Sequence, residues 1–452
     1  MMGHLSNLNT KHYDVIVVGA GVIGAALAYE LAQQGVKVAL LEKSTPAAGA
    51  SGAAGGMLAA HSEHFMNAEL HHLALYSQSL YSKLATDLLE QTGIDIGLRT
   101  EGFLLPLTEK DSKLLHEERL YEDQSQENSN DQSSNTQYQN AQHQLDHQDF
   151  FRDNDILSNI ETIDHTNTNT NTNTNTNTNT NTNTNTKKWW SPSYLAQVEP
   201  QLYAPSGMIY NPDEPQLIPA LLNQALVQAA IQYGVDFYPE TEVLRLLYQQ
   251  NTSQIKGVVS NKGNLSAEQV VLTTGISTQQ LLAKEQYTLP FIPIKGELIE
   301  VSTPSKWLGH TIYGEGIYII PKSDHRLWIG ATSKPNRIDT NVEISAIAQL
   351  LSQAEQYLPA IGSATFVRCW SGIRPGTPDE LPYLGRIEPI TGLWTASGHY
   401  RNGILLAAGT AKYMAQALIT NHTAHIPDCF APARALQKCS DLAIRKGVTT
   451  WN

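Results

Sequence analysis

An α/β fold of two domains, one wound around a nucleotide-binding βαβ unit and the other built on an antiparallel sheet, is predicted by three observations. The first is the run DVIVVGAGVIGAALAYELAQQGVKVALLEK from Asp14. The second is a change of texture after Pro290, where apolar and polar residues alternate between charged turns. The third is a strand, glycine-rich turn and helix from Leu393 to Thr420, which repeats the first unit near the far end of the chain. It makes the nucleotide domain discontinuous.

Taken in order, Val15 to Val18 reads as a buried strand that ends at Gly19, Gly21 and Gly24 and passes into a helix reaching Gln34. The first glycine permits a tight turn, the second lets the backbone approach a pyrophosphate, and the third lets the helix pack close to the strand. The helix start offers free N–H groups to phosphate, the Rossmann-like arrangement. A second strand, Val36 to Leu41, ends in Glu42, which can accept hydrogen bonds from an adenosine ribose diol and disfavours a 2′-phosphate. The three glycines, with Tyr29, Glu30, Gln33 and Gln34 following, set this segment apart from a signal peptide or a membrane span.

Further along, Leu70, Leu73, Leu80, Leu84 and Leu88 have helical spacing and predict a helix over 65–91. Gly102 to Leu107 reads as a strand, and Leu217 to Gln232 as an amphipathic helix closed by Gly234. Val235 to Tyr238 and Glu242 to Tyr248 are strands, and Gln269 to Leu272 is a buried strand returning to the nucleotide domain before Thr273, Thr274 and Gly275. Glu297 to Val301, Ile317 to Pro321 and Leu327 to Thr332 form the antiparallel sheet, with one face available to line a cavity. The nucleotide domain is accordingly assigned to 12–98, 205–289 and 370–430, and the second domain to 99–204 and 290–369.

The bulk numbers exclude several classes. The 452 residues are 41% hydrophobic and 16% charged, enough for a large core, and the net charge of −13 argues against a nucleic-acid partner, because such binding neutralises phosphates with Lys and Arg. The three cysteines, Cys369, Cys429 and Cys439, are odd in number and lack a CxxC pair, so neither a disulfide framework nor a metal site is expected and a reducing cytoplasm is the expected compartment. No other long apolar run offers a membrane span. Residues 124–186 are polar, and 166–186 alternate Thr and Asn strictly, so this stretch reads as a disordered low-complexity insertion in a surface loop.

The residues that carry chemistry lie elsewhere. A small-residue run from Gly49 to Met57 suits a flat ring system lying against backbone. Arg374, read alone, is either a bidentate carboxylate clamp or a structural salt-bridge partner. The backbone amides of His399 to Leu405 open a helix whose positive end can face developing negative charge.

Together, GAGVIG at Gly19, the Gly49 to Met57 run, GIRPGT at Gly372 to Thr377 and GHYRNGILLA at Gly398 to Ala407 resemble the glycine oxidase branch of the D-amino-acid oxidase flavoprotein superfamily. The likeness covers most of the chain outside 124–186. It implies a two-domain fold of the glutathione-reductase/D-amino-acid-oxidase type and a non-covalent FAD held by Gly19, Gly21, Val22, Ile23, Gly24, Glu42, Lys43, Ala50, Ser51, Gly55, Gly56, Met57, Val243, His399, Tyr400, Arg401, Asn402, Gly403, Ile404 and Leu405. In the same reading Arg374 anchors the substrate carboxylate, Tyr318 points its hydroxyl at that carboxylate, and Arg401 is a second basic residue near the substrate. The family position for a covalent cysteine link falls near Gly372, with Cys369 three residues away. Two departures stand out, Gly316 where relatives carry a pocket histidine and Ser333 where they carry a methionine.

The resemblance implies oxidation of glycine, sarcosine or small D-amino acids by hydride transfer to the flavin, with dioxygen as second substrate, hydrogen peroxide as product, and a role in making the thiazole of thiamine. No catalytic base is assigned, and His61 reads as a hydrogen-bonded structural residue. A homo-oligomer, in particular a tetramer, is the expected assembly. The alternatives are a dehydrogenase of the same fold passing electrons to another acceptor, and a non-catalytic flavin-binding redox sensor using the Thr-Asn segment for partners.

Overall fold

The computed structural model describes residues 11–107, 161–163 and 187–438. Val15 to Val18 are buried on both sides, as a central parallel strand requires, and lie in the strand His12–Val18. This strand pairs in parallel with Val38–Leu41 on one side and Gly263–Leu272 on the other. The sheet extends to Asp236–Tyr238 beyond the former and to Leu393–Ser397 and Tyr383–Arg386 beyond the latter.

Alternation decides what covers each face. Val15 and Val17 face a layer made by the helices Val22–Gln33, Pro219–Gln232 and Gly403–Thr420, whereas Ile16 and Val18 face the antiparallel strands Val243–Tyr248 and Ile255–Ser260. The strand ending at Leu272 does return to this sheet, 254 residues after Val18 in the chain, and pairs with it directly as Val18↔Leu272.

The second sheet runs in the order Lys334–Pro335, Ile292–Ser302, Arg326–Gly330, Ile317–Ser323, Thr311–Gly314, Phe103–Pro106, Met208–Asn211, Lys188–Trp190, Glu161–Ile163. Thr365–Gly376 pairs along the other side of Ile292–Ser302. Most pairings are antiparallel, but Thr311–Gly314 meets Phe103–Pro106 in parallel. The helix Ile344–Glu355 covers one face through Leu350 and Ala354, and the other face looks into the cavity described below.

Four sequence expectations are modified. The helix expected over 65–91 is two helices, Ala68–Ser79 and Tyr81–Thr92, jointed at Leu80. The first buries Leu70, Leu73, Ala74 and Ser77 and the second Tyr81 and Leu88, so the apolar spacing spans a helix break. Met208–Asn211 joins the second sheet although it falls within 205–289, and Thr365–Gly376 runs through the boundary drawn at 370. Both strands belong to the second sheet, so its limits fall at other residues than those drawn from the hydrophobic pattern. Within 124–186, Glu161–Ile163 forms an edge strand against Lys188–Trp190, and the Thr-Asn alternation lies outside the described residues. Among the described residues no helix is long and apolar enough to cross a membrane, and no group of His, Cys, Asp and Glu could hold a metal ion.

Candidate functional site

Both sheets open onto one cavity of about 740 Å3, within the range of small-molecule and cofactor sites. Its nucleotide end is built by the first βαβ unit. Gly19 has a φ of +104°, which L side chains rarely adopt, and turns the chain so that Val18, Gly19, Gly21, Val22 and Ile23 reach the cavity wall. The helix Val22–Gln33 starts there with no side chain of its own capping it, and the N–H of Val22 donates to Ser51 Oγ at 3.0 Å. Ser51 thereby ties the small-residue segment to the helix start and adds a hydroxyl to it.

Glu42 follows the second strand and accepts one backbone N–H on each oxygen, from Ala20 at 2.9 Å and from Ser44 at 2.9 Å. The carboxylate is fixed while its remaining lone pairs stay free for hydroxyl donors in the cavity. Lys43, Ala50, Gly55, Gly56, Met57 and Val243 also line the cavity. Gly56 lies against Leu217, whose carbonyl would be 2.1 Å from an added Cβ, and Met57 is bridged to Gln216. At the far end, Gly398 to Ile404 line the cavity, and the helix Gly403–Thr420 begins there with Asn402 giving no side-chain cap. Its first N–H groups therefore point at the site.

Two residues assigned from sequence to the cofactor do not line the cavity. A Cβ on Gly24 would sit 1.9 Å from the Gly19 carbonyl and 2.5 Å from Thr273 Oγ1, so this glycine serves the helix–strand contact. Leu405 is 1% exposed and packs in the helical core layer. His399 contributes backbone only, since its ring is buried with Nε2 3.1 Å from Thr410 Oγ1, and burial pushes its pKa down to about 3.

Arg374 lies in the strand Thr365–Gly376, directly opposite Ile294, and not in a turn as its Pro-Gly sequence suggests. Pro375 is tolerated because this strand is an edge, pairing on one side alone. The guanidinium lies over Gly296, where an added Cβ would be 2.4 Å from Nη2. Arg374 Nη1 donates to the Thr332 carbonyl at 3.1 Å, and a second hydrogen bond reaches the Tyr318 hydroxyl. It has no carboxylate partner among the described residues. Tyr318 stands opposite Gly330, which leaves room for its ring, and its hydroxyl would be 3.2 Å from a Cβ on Gly55. Desolvation pushes the Tyr318 phenol up to about 12 against the opposing pull of Arg374, so it keeps its proton at neutral pH.

Behind this pair, Glu297 accepts the Thr332 hydroxyl at 2.8 Å and Lys334 at 2.8 Å, holding the segment to which Arg374 is bonded. Arg401 lines the same cavity, but its Nη2 is 2.8 Å from Glu63 Oε2. Glu63 also accepts the Tyr313 hydroxyl at 2.7 Å. Gly316 and Ser333, the two departures, both line the cavity.

Sequence reasoning did not find Glu63, Tyr313, Gly296 or Thr332. Of these only Gly296, a glycine at the edge of the strand read as Glu297 to Val301 and inside the observed strand Ile292–Ser302, carries a local signal of close approach. His61 does not line the cavity; its backbone N–H donates to Glu214 at 2.9 Å, and burial lowers its pKa. Cys369 does not line it either.

These residues fit FAD. Two helix N-termini face one cleft, a carboxylate with free lone pairs closes the first, and backbone of small residues forms the wall between them, which accommodates a dinucleotide and a flat ring. Residues 14–417 match the family described as FAD dependent oxidoreductase. The glycine oxidase of Geobacillus kaustophilus is 35% identical over 419 residues, spanning 92% of this chain and 95% of that one. A bifunctional protein ThiO/ThiG of Trichormus variabilis is 31% identical over 412 residues, covering 90% of this chain and 52% of its own length. The crystal structure of glycine oxidase from Geobacillus kaustophilus matches with a TM-score of 0.73 at 33% identity, over 94% of this chain and 99% of that one. With this cleft and these relatives, the chain belongs to the D-amino-acid oxidase family of FAD-dependent oxidoreductases and is an FAD-dependent amino-acid oxidase.

Proposed function

We propose that the protein oxidises glycine, and with it sarcosine or small D-amino acids, to the imine, with release of hydrogen peroxide, to supply the thiazole of thiamine. The observation that carries this reading is Arg374, a guanidinium with no carboxylate partner among the described residues, bonded to a protonated tyrosine at the wall of the cofactor cavity. A relative named glycine oxidase and another named ThiO/ThiG support the substrate and the pathway.

In this reading Arg374 takes the substrate carboxylate bidentately. The Tyr318 hydroxyl, already accepting from Arg374, donates its own proton to the same carboxylate. Fixing the carboxylate at two points orients Cα towards the ring site beside Met57 and the Gly398–Ile404 turn, which makes the transfer effectively intramolecular. Bound FAD supplies the acceptor for two electrons and the Cα hydrogen, and dioxygen takes the electrons on to give hydrogen peroxide. No base is assigned to this step among the described residues. The His399 ring is turned into the core, and the Glu63 carboxylate is engaged by Arg401 and Tyr313. The amine therefore reacts in its neutral form, and the positive end of the helix Gly403–Thr420 stabilises the negative charge that develops. The flavin is held without a covalent bond, a reading supported by the position of Cys369 outside the cavity wall.

Anaerobic mixing of the yellow holoenzyme with glycine should bleach the oxidised flavin band, and admitting air should restore it with stoichiometric peroxide. Persistent colour with glycine, sarcosine and D-alanine would sink the reading, and bleaching restored by a dye but not by air would assign a dehydrogenase. Arg374→Ala should raise KM for glycine by about two orders of magnitude, the loss typical of deleting one partner of a desolvated charge pair.

A further inference from the structure

The hairpin of Thr311–Gly314 and Ile317–Ser323 sets two tyrosines side by side. Tyr313 and Tyr318 are directly opposite in register, so both side chains leave the same face of the sheet. Each leads to a different arginine. Tyr318 meets Arg374, which has no carboxylate partner among the described residues. Tyr313 donates to Glu63 Oε1 at 2.7 Å, and Glu63 Oε2 holds Arg401 Nη2 at 2.8 Å. All five side chains line one cavity.

We propose that Glu63 determines the substrate class by neutralising Arg401, so that the pocket accepts amines carrying one carboxylate and refuses dicarboxylic amines such as D-aspartate or iminodiacetate. The proposal rests on the reading of Arg374 as the carboxylate anchor. Arg374 offers the one uncompensated guanidinium of the pair. A second carboxylate reaching Arg401 meets a guanidinium whose charge Glu63 already compensates at 2.8 Å, and the two like charges brought together in a partly desolvated site repel. Burial and the neighbouring Glu63 push the Tyr313 phenol far up, so it remains a donor and pins the carboxylate in place. Space is not what excludes a longer substrate. Gly314 and Gly316 project no side chain into this end, and a Cβ on Gly316 would meet nothing nearer than Gln353 Nε2 at 3.9 Å.

The test titrates the holoenzyme with acetate and with malonate, following the flavin absorbance band. Wild type should respond to acetate and bind malonate no more tightly. Glu63→Gln should improve the malonate-to-acetate affinity ratio about tenfold or more, the increment of one added charge-assisted hydrogen bond. The double variant Glu63→Gln/Arg401→Gln should lose that gain. Tyr313→Phe, which keeps the ion pair but removes its tether, should shift the ratio in the same direction by less, and it carries the test if Glu63→Gln does not retain FAD. An acetate response in wild type with an unchanged ratio in Glu63→Gln, or a gain that survives in the double variant, overturns the role of Glu63 alone. No wild-type response to acetate overturns the carboxylate-anchor reading, and this proposal with it.

Discussion

Arg374 shows how a functional side chain depends on a residue that has none. Its guanidinium occupies the space above Gly296, with the position of an added Cβ 2.4 to 2.7 Å from three of its atoms. Gly296→Ala therefore moves the tip of a flexible side chain and leaves the backbone in place. The variant should fold and retain FAD with less than about 1 kcal/mol lost, while KM for glycine rises about tenfold or more because the bidentate geometry is gone. Thermal unfolding together with steady-state kinetics checks both halves, and an unchanged KM would separate Arg374 from carboxylate binding. Arg374 and Tyr318 were legible in the sequence through resemblance to a known motif. Gly296 and Gly330 were not singled out, because the need for space arises only when the strands pair, Tyr318 directly opposite Gly330 and Arg374 opposite Ile294 so that its guanidinium lies diagonally over Gly296.

At the scale of elements, the first βαβ unit is the part most fully written in the chain. Glycine spacing, a continuous apolar strand and a terminal acid are local properties, and each reappears in the strand His12–Val18, the helix Val22–Gln33 and Glu42. The contact between that helix and its strand is also tight enough to test. Gly24→Ala would drive a Cβ to 1.9 Å from the Gly19 carbonyl, a backbone atom that cannot swing aside. Overpacking of this kind costs about 1–3 kcal/mol. The variant should melt several degrees lower and lose FAD affinity, although Gly24 itself does not line the cavity. Retention of wild-type melting and FAD content would show that the helix shifts freely. The joint at Leu80 was not legible in the same way. Leucines at helical spacing continue across it, and what marks the break is tertiary, with Ser77 at the end of the first helix donating to the Leu405 carbonyl and accepting from Gly409.

At the scale of the whole molecule, the cleft is closed by pieces far apart in sequence, and one of them carries a proton-linked signature. His399 is buried with a pKa near 3, whereas an unfolded histidine titrates near 6.5. Between those values the unfolded chain binds a proton that the native protein does not, so its stability contribution is present above about pH 6.5 and is lost as pH falls. At fixed FAD excess, wild type should lose stability relative to His399→Gln by about 1.4 kcal/mol per pH unit below about pH 6. Denaturant melts at pH 5, 6 and 8 measure this, and a pH-independent difference would contradict the burial of a neutral ring.

What the sequence determined by itself was whatever rests on neighbouring residues: the nucleotide-binding turn, the acid that follows the second strand, the cofactor class and the motif containing Arg374. What the tertiary structure decided was which distant side chains share a wall of the cavity. The resemblance makes Arg401 a second basic residue near the substrate, and the tertiary structure adds that Glu63, 338 residues earlier, holds it at 2.8 Å and that Tyr313 holds Glu63. The Glu63–Arg401 ion pair has no periodicity, because it forms between segments brought together only after two sheets pack. Electrostatics at such a point depends on spatial neighbours and not on the residues alongside in the chain.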